Sequence, residues 1–235
     1  MGKPPPPPEL PKFLDFDGIM GNPHCYTPSQ PFDLGRYEIP NRRIVFVNGI
    51  GNSFQDSYNH AEYTSKLGQG VNVHGIFNAT NGIRNDIYQS CLGLQYQCTN
   101  PEKLLYDEIS NYFANAGPNA TMLIVAFSQG GIITRNTLHF YPNEEHKKRI
   151  FVLAIAPGAY TDSRNCNTVK HYVHPDDPVP TLDKYGAKMH AHTIFPVANK
   201  VPNSFKTHHA YQDPIYKDVI ENNINYYLES GCLIK

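Results

Sequence analysis

From Arg43 onward, short runs of β-branched and apolar residues alternate with stretches of helical period. That alternation predicts a parallel sheet with helices on both faces. Strands are expected at about Ile44–Asn48, Val71–Phe77, Thr121–Phe127, Ile150–Ala156, Val169–Val173 and Met189–Phe195, six in all. Several are apolar nearly throughout, as strands covered on both faces must be. Between them, Asn100-Pro101 reads as a helix start, with Leu105, Ile109, Tyr112 and Phe113 repeating on one face until Gly117-Pro118. A last helix starts at Asp213-Pro214 and carries a stripe of Ile215, Val219, Ile220, Ile224, Tyr227 and Leu228.

Up to about Arg42 no period is sustained, and Pro, Gly and Asn are frequent. The chain therefore divides into an irregular Pro-rich arm over 1–42 and one α/β domain over 43–235. Pro4–Pro8 forms a stiff polyproline II segment in this reading. The arm is a spacer, a docking peptide for a protein partner, or a cover whose Phe13, Leu14, Phe16, Ile19 and Met20 shield a site.

Composition narrows the field. With 20 Lys+Arg against 21 Asp+Glu and a net charge of −1, the chain lacks the basic footprint of a nucleic-acid binder. Its apolar runs are strand-sized, too short to span a bilayer, and the N-terminus lacks the apolar core of a classical signal peptide. A soluble protein is expected, cytoplasmic or exported by a non-classical route. The 5 cysteines show no Cys-x-x-Cys spacing; free thiols are expected, with Cys91 and Cys98 a candidate pair after export.

The candidate chemistry begins at Ser128, where the apolar run Ile124-Val125-Ala126-Phe127 stops and Gln129-Gly130-Gly131 follows. A serine two residues from Ala126 on one side and Gly130 on the other fits a nucleophile elbow, whose sharp strand-to-helix turn tolerates only tiny flanking side chains. A serine hydroxyl needs a base, the base needs an orienting carboxylate, and a tetrahedral oxyanion needs preorganised donors. The acid is sought after the fifth strand, in His174-Pro175-Asp176-Asp177-Pro178-Val179-Pro180, where the prolines stiffen the loop around Asp177; Asp176 is the alternative. The base is sought before the last helix, at His208 or His209. Val47-Asn48-Gly49-Ile50-Gly51 follows the first strand, and the backbone N–H groups of Ile50 and Gln129 are the expected oxyanion donors.

These residues resemble the α/β-hydrolase superfamily, with Asp177-Pro178-Val179-Pro180 similar to the acid loop of fungal-type lipases. From about Ile44 to Leu228 the chain is more specifically similar to an uncharacterised α/β-hydrolase-like family found in chlamydiae. That likeness rests on Phe46-Val47-Asn48-Gly49-Ile50, Ile76-Phe77-Asn78-Ala79-Thr80-Asn81-Gly82, Ser128-Gln129-Gly130, Leu153-Ala154-Ile155-Ala156-Pro157, Asp177-Pro178-Val179-Pro180 and His209-Ala210-Tyr211-Gln212-Asp213-Pro214-Ile215-Tyr216. It implies a three-layer sandwich and makes His209 the base. Asn48 departs from the His-Gly that most superfamily relatives carry at the oxyanion turn.

The expected function is therefore a serine esterase or lipase-like hydrolase acting on a small-molecule or lipid acyl ester or thioester through Ser128, His209 and Asp177, without a cofactor. An acyltransferase would use the same groups. About a dozen residues separate the fourth and fifth expected strands, so no cap domain is expected there. The alternative is a noncatalytic module that docks through its proline-rich arm. A metal site is weighed on His171, His174, Asp176, Asp177 and the alternating His190 and His192, but no complete ligand set is spelled.

Overall fold

The computed structural model describes residues 12–14, 27–80, 82–198 and 209–234, the side chain of Ile83 excepted. Strands β1 (Gln30–Leu34), β2 (Arg42–Val47), β3 (Val73–Phe77), β4 (Thr121–Phe127), β5 (Ile150–Ile155), β6 (Thr168–Val173) and β7 (Ile194–Pro196) form one sheet in the order β1-β3-β2-β4-β5-β6-β7. Only β1 runs antiparallel to its neighbour. The helices are α1 (Phe54–Leu67), α2 (Ile83–Leu94), α3 (Asn100–Asn115), α4 (Gln129–Phe140), the single turn α5 (Glu144–Lys147), α6 (Lys184–Met189) and α7 (Pro214–Ser230).

Alternation along the central strands divides the interior into two cores, because successive side chains leave a strand on opposite faces. Ile44 and Phe46 of β2 and Leu123, Val125 and Phe127 of β4 pack with Ala61 of α1 and with Ile220, Ile224 and Tyr227 of α7. Val45, Val47, Met122 and Ile124 pack on the other side with Leu105 and Ile109 of α3 and Ile133 and Leu138 of α4. Three layers result, and β4 lies at the centre with its C-terminal end open to the loops. Residues 156–167, between β5 and β6, contain a single 3₁₀ turn at Ser163–Asn165.

The sheet has seven strands where six are expected, and the extra one lies inside the expected arm. β1 carries Pro31, which an edge strand tolerates because its missing N–H costs no ladder bond there. The strand is fixed by Phe32, whose ring lies over the glycine at position 75: a Cβ built on Gly75 would sit 2.1 Å from Phe32 Cζ. Bridges at Tyr37–Val71 and Ile39–Arg42 continue the connection to β2, so the sheet takes in residues before 43. Gly75→Ala should force Phe32 off β3 and destabilise the protein by roughly 1–3 kcal/mol. Urea unfolding of the two proteins checks this, and an unchanged midpoint contradicts it.

Two residues of the proposed cover are described, and both pack elsewhere. Leu14 donates its N–H to the Cys98 carbonyl at 2.8 Å, and the Phe13 ring lies 6.2 Å from that of Tyr106. Neither lines the cavity at Ser128. Pro4–Pro8, Phe16, Ile19 and Met20 lie outside the described residues.

The expected strand Met189–Phe195 is also corrected. Asp183 accepts the Gly186 N–H at 2.8 Å and so starts α6, which runs through Met189. A 3₁₀ turn follows at Ala191–Thr193, and only Ile194–Pro196 is extended. At the start of α3 the cap is Thr99 rather than Asn100: Glu102 accepts from the Thr99 backbone N–H at 2.9 Å and from its hydroxyl at 2.8 Å. The last helix starts as expected, with Asp213 accepting the Ile215 N–H, and Gly231 at φ 75° ends it. Cys91, Cys98, Cys166 and Cys232 are free thiols, so the candidate Cys91–Cys98 pair is unjoined. Among the described residues no helix is long and apolar enough to cross a membrane.

Candidate active site

Ser128 stands at the turn from β4 into α4 with φ 56° and ψ −120°. A non-glycine residue in that region costs on the order of 1–3 kcal/mol and persists only where its surroundings fix it. Here they do: the Ser128 N–H donates to the Ile155 carbonyl at 3.2 Å, and its own carbonyl accepts from the N–H groups of Gly131 and Gly158 at 2.9 and 2.8 Å. The demand for small flanking residues is steric. A Cβ on Gly130 would lie 2.3 Å from the Val47 carbonyl oxygen, and one on Gly49 would lie 2.7 Å from Ser128 Cβ.

The elbow aims the hydroxyl at His209, whose Nε2 is 2.8 Å from Ser128 Oγ. On the other side of the ring, His209 Nδ1 is 2.7 Å from Asp177 Oδ2. Phe127 stacks against the imidazole at 5.2 Å between centroids, which holds the ring plane. Asp177 is buried, and its other oxygen accepts the Val179 N–H at 2.9 Å. One carboxylate oxygen is thus pinned by backbone while the other faces the ring. A carboxylate there favours the tautomer with the proton on Nδ1, leaving the Nε2 lone pair toward the serine.

Of the two aspartates, it is Asp177 that the loop turns inward. Asp176 is exposed, and its N–H donates to His174 Nδ1. His208 lies outside the described residues. Ile50 and Gln129, the expected oxyanion donors, line the same cavity as Ser128 and His209, a cleft of about 410 Å³ with Phe127, Ile132, Val179 and Leu182 among its apolar walls. Gln129 opens α4, where a backbone N–H has no acceptor within the helix.

At the loop after β2 is a buried polar chain that the sequence does not reveal. Asn48, fully buried, accepts from the Asn78 N–H at 2.7 Å and the Ser57 hydroxyl at 3.2 Å, and donates to the carbonyls of Gly49 and Asn78. Asn78 in turn donates to the Gln129 side chain at 2.7 Å, and Gln129 donates to Gln89. Asp86 ties the loop from another side, accepting from the Gly51 N–H at 3.1 Å and the Thr80 hydroxyl at 2.6 Å. The departure at Asn48 is therefore the bracket that joins the ends of β2 and β3 to α1. Its only sequence signal is an asparagine in a strand end that is otherwise apolar. His60 was likewise missed; it lines the cavity from α1, and burial lowers its pKa below the ordinary histidine value.

The histidines weighed for a metal site are placed differently. His190 caps the end of α6 and His192 lies in the following 3₁₀ turn, so the strand-face alternation behind the metal candidate is absent. Among the described residues no group of three or more His, Cys, Asp or Glu is placed to hold a metal ion. His171 is fully buried: Nε2 accepts the Thr161 N–H at 3.0 Å, and Nδ1 lies 2.9 Å from the Thr193 hydroxyl. That hydroxyl already donates to the His190 carbonyl, so His171 Nδ1 carries the proton. Burial pushes its pKa down to about 3.

The unfolded chain therefore binds one more proton than the folded chain between the ordinary histidine pKa and about 3. Stability from this group is present above that window and falls with pH inside it, by up to about 1.4 kcal/mol per pH unit. Comparing His171→Gln with the parent in unfolding experiments across that range checks this; identical acid sensitivity contradicts it.

Fold and site together define a three-layer α/β protein with a strained serine turn facing a histidine–aspartate pair. Residues 36–220 match the family described as Protein of unknown function (DUF687), and the chain belongs to that family. No curated protein matches the chain. Among solved structures it is similar to an arylesterase, with 9% identity, TM-score 0.47, and 91% of this chain and 89% of that one covered. An esterase of Pyrobaculum calidifontis gives 9% identity and TM-score 0.49, covering 92% and 88% of the two chains. A dienelactone hydrolase from Anabaena variabilis ATCC 29413 gives 14% identity and TM-score 0.46, covering 86% and 99%. Each TM-score is below 0.5, so the strand order and helix layers, and not these overlays, define the fold.

Proposed function

We propose that the protein is a serine hydrolase of the α/β-hydrolase type that cleaves a carboxylic ester or thioester, in line with the chlamydial hydrolase-like family its motifs resemble. The observation that carries the reading is the continuous relay Ser128 Oγ to His209 Nε2 at 2.8 Å and His209 Nδ1 to Asp177 at 2.7 Å, beginning at a serine in a strained turn. In this mechanism His209 takes the Ser128 proton as Oγ attacks the acyl carbonyl. The imidazolium so formed is stabilised by Asp177, and the oxyanion is met by the N–H groups of Ile50 and Gln129. Collapse transfers the proton from Nε2 to the leaving alkoxide or thiolate and leaves an acyl-serine. Water, deprotonated by His209, then releases the acid and restores the serine.

The apolar cavity walls favour an acyl chain as the group bound beside Ser128. A panel of esters and thioesters of graded acyl length, assayed with Ser128→Ala in parallel, tests the reading. Hydrolysis of some members, absent from Ser128→Ala, is expected. Equal hydrolysis by both proteins, or none by a folded parent across the panel, contradicts it.

A further inference from the structure

Two surface segments flank the mouth of the Ser128 cavity, and both carry the same unusual mixture. On one bank, Val179 and Leu182 reach the cavity, and Leu182, Tyr185 and Met189 along and before α6 are each more than half exposed. On the other bank, Ser90 of α2 reaches the cavity, and one turn earlier Ile87 is also more than half exposed. Large apolar side chains exposed on both of the segments that reach one opening mark an interaction surface rather than the scattered exposure ordinary for a globular domain.

Basic side chains outnumber acidic ones on the exposed surface of these two segments. Lys184 and Lys188 are exposed on α6, and Arg84 is exposed on α2. The acids of these same helices and their caps are turned inward. Asp86 is buried against the Gly51 N–H and the Thr80 hydroxyl. Asp183, the cap of α6, accepts from the Tyr160 and Gly186 N–H groups and lies 3.6 Å from the guanidinium of buried Arg135. Over 82–94 and 176–196, Asp176 is the exposed carboxylate. Arg164, also exposed, is paired with Asp162 and adds no net charge.

We propose that these banks seat the protein on an anionic phospholipid surface, with the aromatic and aliphatic side chains entering the interfacial layer and Lys184, Lys188 and Arg84 meeting lipid phosphates and carboxylates. Apolar residues beside basic ones are the chemistry that such an interface selects, whereas an acidic protein partner would call for the cations without the exposed Leu182, Tyr185, Met189 and Ile87. The inference rests on the hydrolase reading in one respect: it makes the substrate a membrane lipid acyl ester, drawn from the layer into the apolar cleft at Ser128.

Flotation with vesicles tests it, using the Ser128→Ala chain so that no lipid is consumed. Binding to phosphatidylcholine vesicles containing phosphatidylserine is expected to exceed binding to pure phosphatidylcholine vesicles and to weaken at high salt. The pair Lys184→Gln and Lys188→Gln should lower binding by on the order of tenfold, and the pair Tyr185→Ser and Met189→Ser should lower it comparably at any salt concentration. All four positions are exposed, and melting curves matching that of the Ser128→Ala chain verify folding. No preference of the Ser128→Ala chain for anionic vesicles, or unchanged binding by either pair, overturns the proposal. Vesicle binding without ester hydrolysis by the wild type removes the hydrolase reading and leaves the docking surface standing; hydrolysis without vesicle binding does the reverse.

Discussion

Ser128→Ala is expected to lower ester turnover by on the order of a thousandfold or more while leaving the fold intact. The substitution removes one oxygen from a side chain whose backbone is held by three hydrogen bonds through Ile155, Gly131 and Gly158. Alanine meets the same positive φ with a Cβ no larger than that of serine, so the turn remains. What is lost is the atom 2.8 Å from His209 Nε2, the nucleophile of the proposed mechanism. His209→Ala should cost a similar factor, and the double variant little more, because groups that move one proton in concert fail together. Steady-state turnover of the best ester in the panel, with melting curves as a control, measures both. A Ser128→Ala chain of near-parental activity contradicts the assignment.

Asp177→Asn is the second large effect, expected at about 10³ to 10⁴ in turnover with little loss of folding. The amide oxygen can still accept the Val179 N–H at the place of Oδ1. Its NH₂ then stands where Oδ2 now faces His209 Nδ1, and a donor there demands a lone pair on Nδ1. The imidazole proton is driven to Nε2, where it points at Ser128 and blocks the nitrogen from accepting the hydroxyl proton. Asp176→Asn, at an exposed position outside the relay, serves as the control and should be close to neutral. Equal losses in the two variants would contradict the role given to Asp177.

Legibility in the sequence followed burial. β4 is apolar on both faces because helices cover both, and its bounds at Thr121–Phe127 read directly from the residues. The elbow was visible for a related reason, since close approach of α4 to Val47 admits only glycine at 130. The edges of the sheet were harder. β1 carries a proline and little apolar pattern, and it is fixed by the distant pairing of Phe32 with Gly75. At β7 the alternation of His190 and His192 imitates a strand, while the Asp183 cap sets a helix through Met189 and leaves only Ile194–Pro196 extended.

The candidate site divided in the same way. Ser128, Asp177 and His209 occupy loops whose order along the chain carries the pattern, and the structure puts Ser128 and Asp177 each within hydrogen-bonding distance of His209. The bracket of Asn48, Asn78, Gln129 and Gln89 joins residues up to 51 positions apart through neutral amides, which have no periodicity and no charge to reveal them. Thr99 and Glu102 did offer a local sign, the Thr-x-x-Glu spacing of a capping box, and it was masked by the adjacent Asn100-Pro101.

The most direct measurement is intact-protein mass spectrometry after exposure to a fluorophosphonate, followed by peptide mapping. A phosphonyl serine forms only where the hydroxyl is activated by a base and the oxyanion is met by donors. One adduct on Ser128, absent from Ser128→Ala and His209→Ala, is the expected result. A folded wild-type protein that takes up no label, or takes it on another residue, contradicts the assignment of Ser128 as an activated nucleophile.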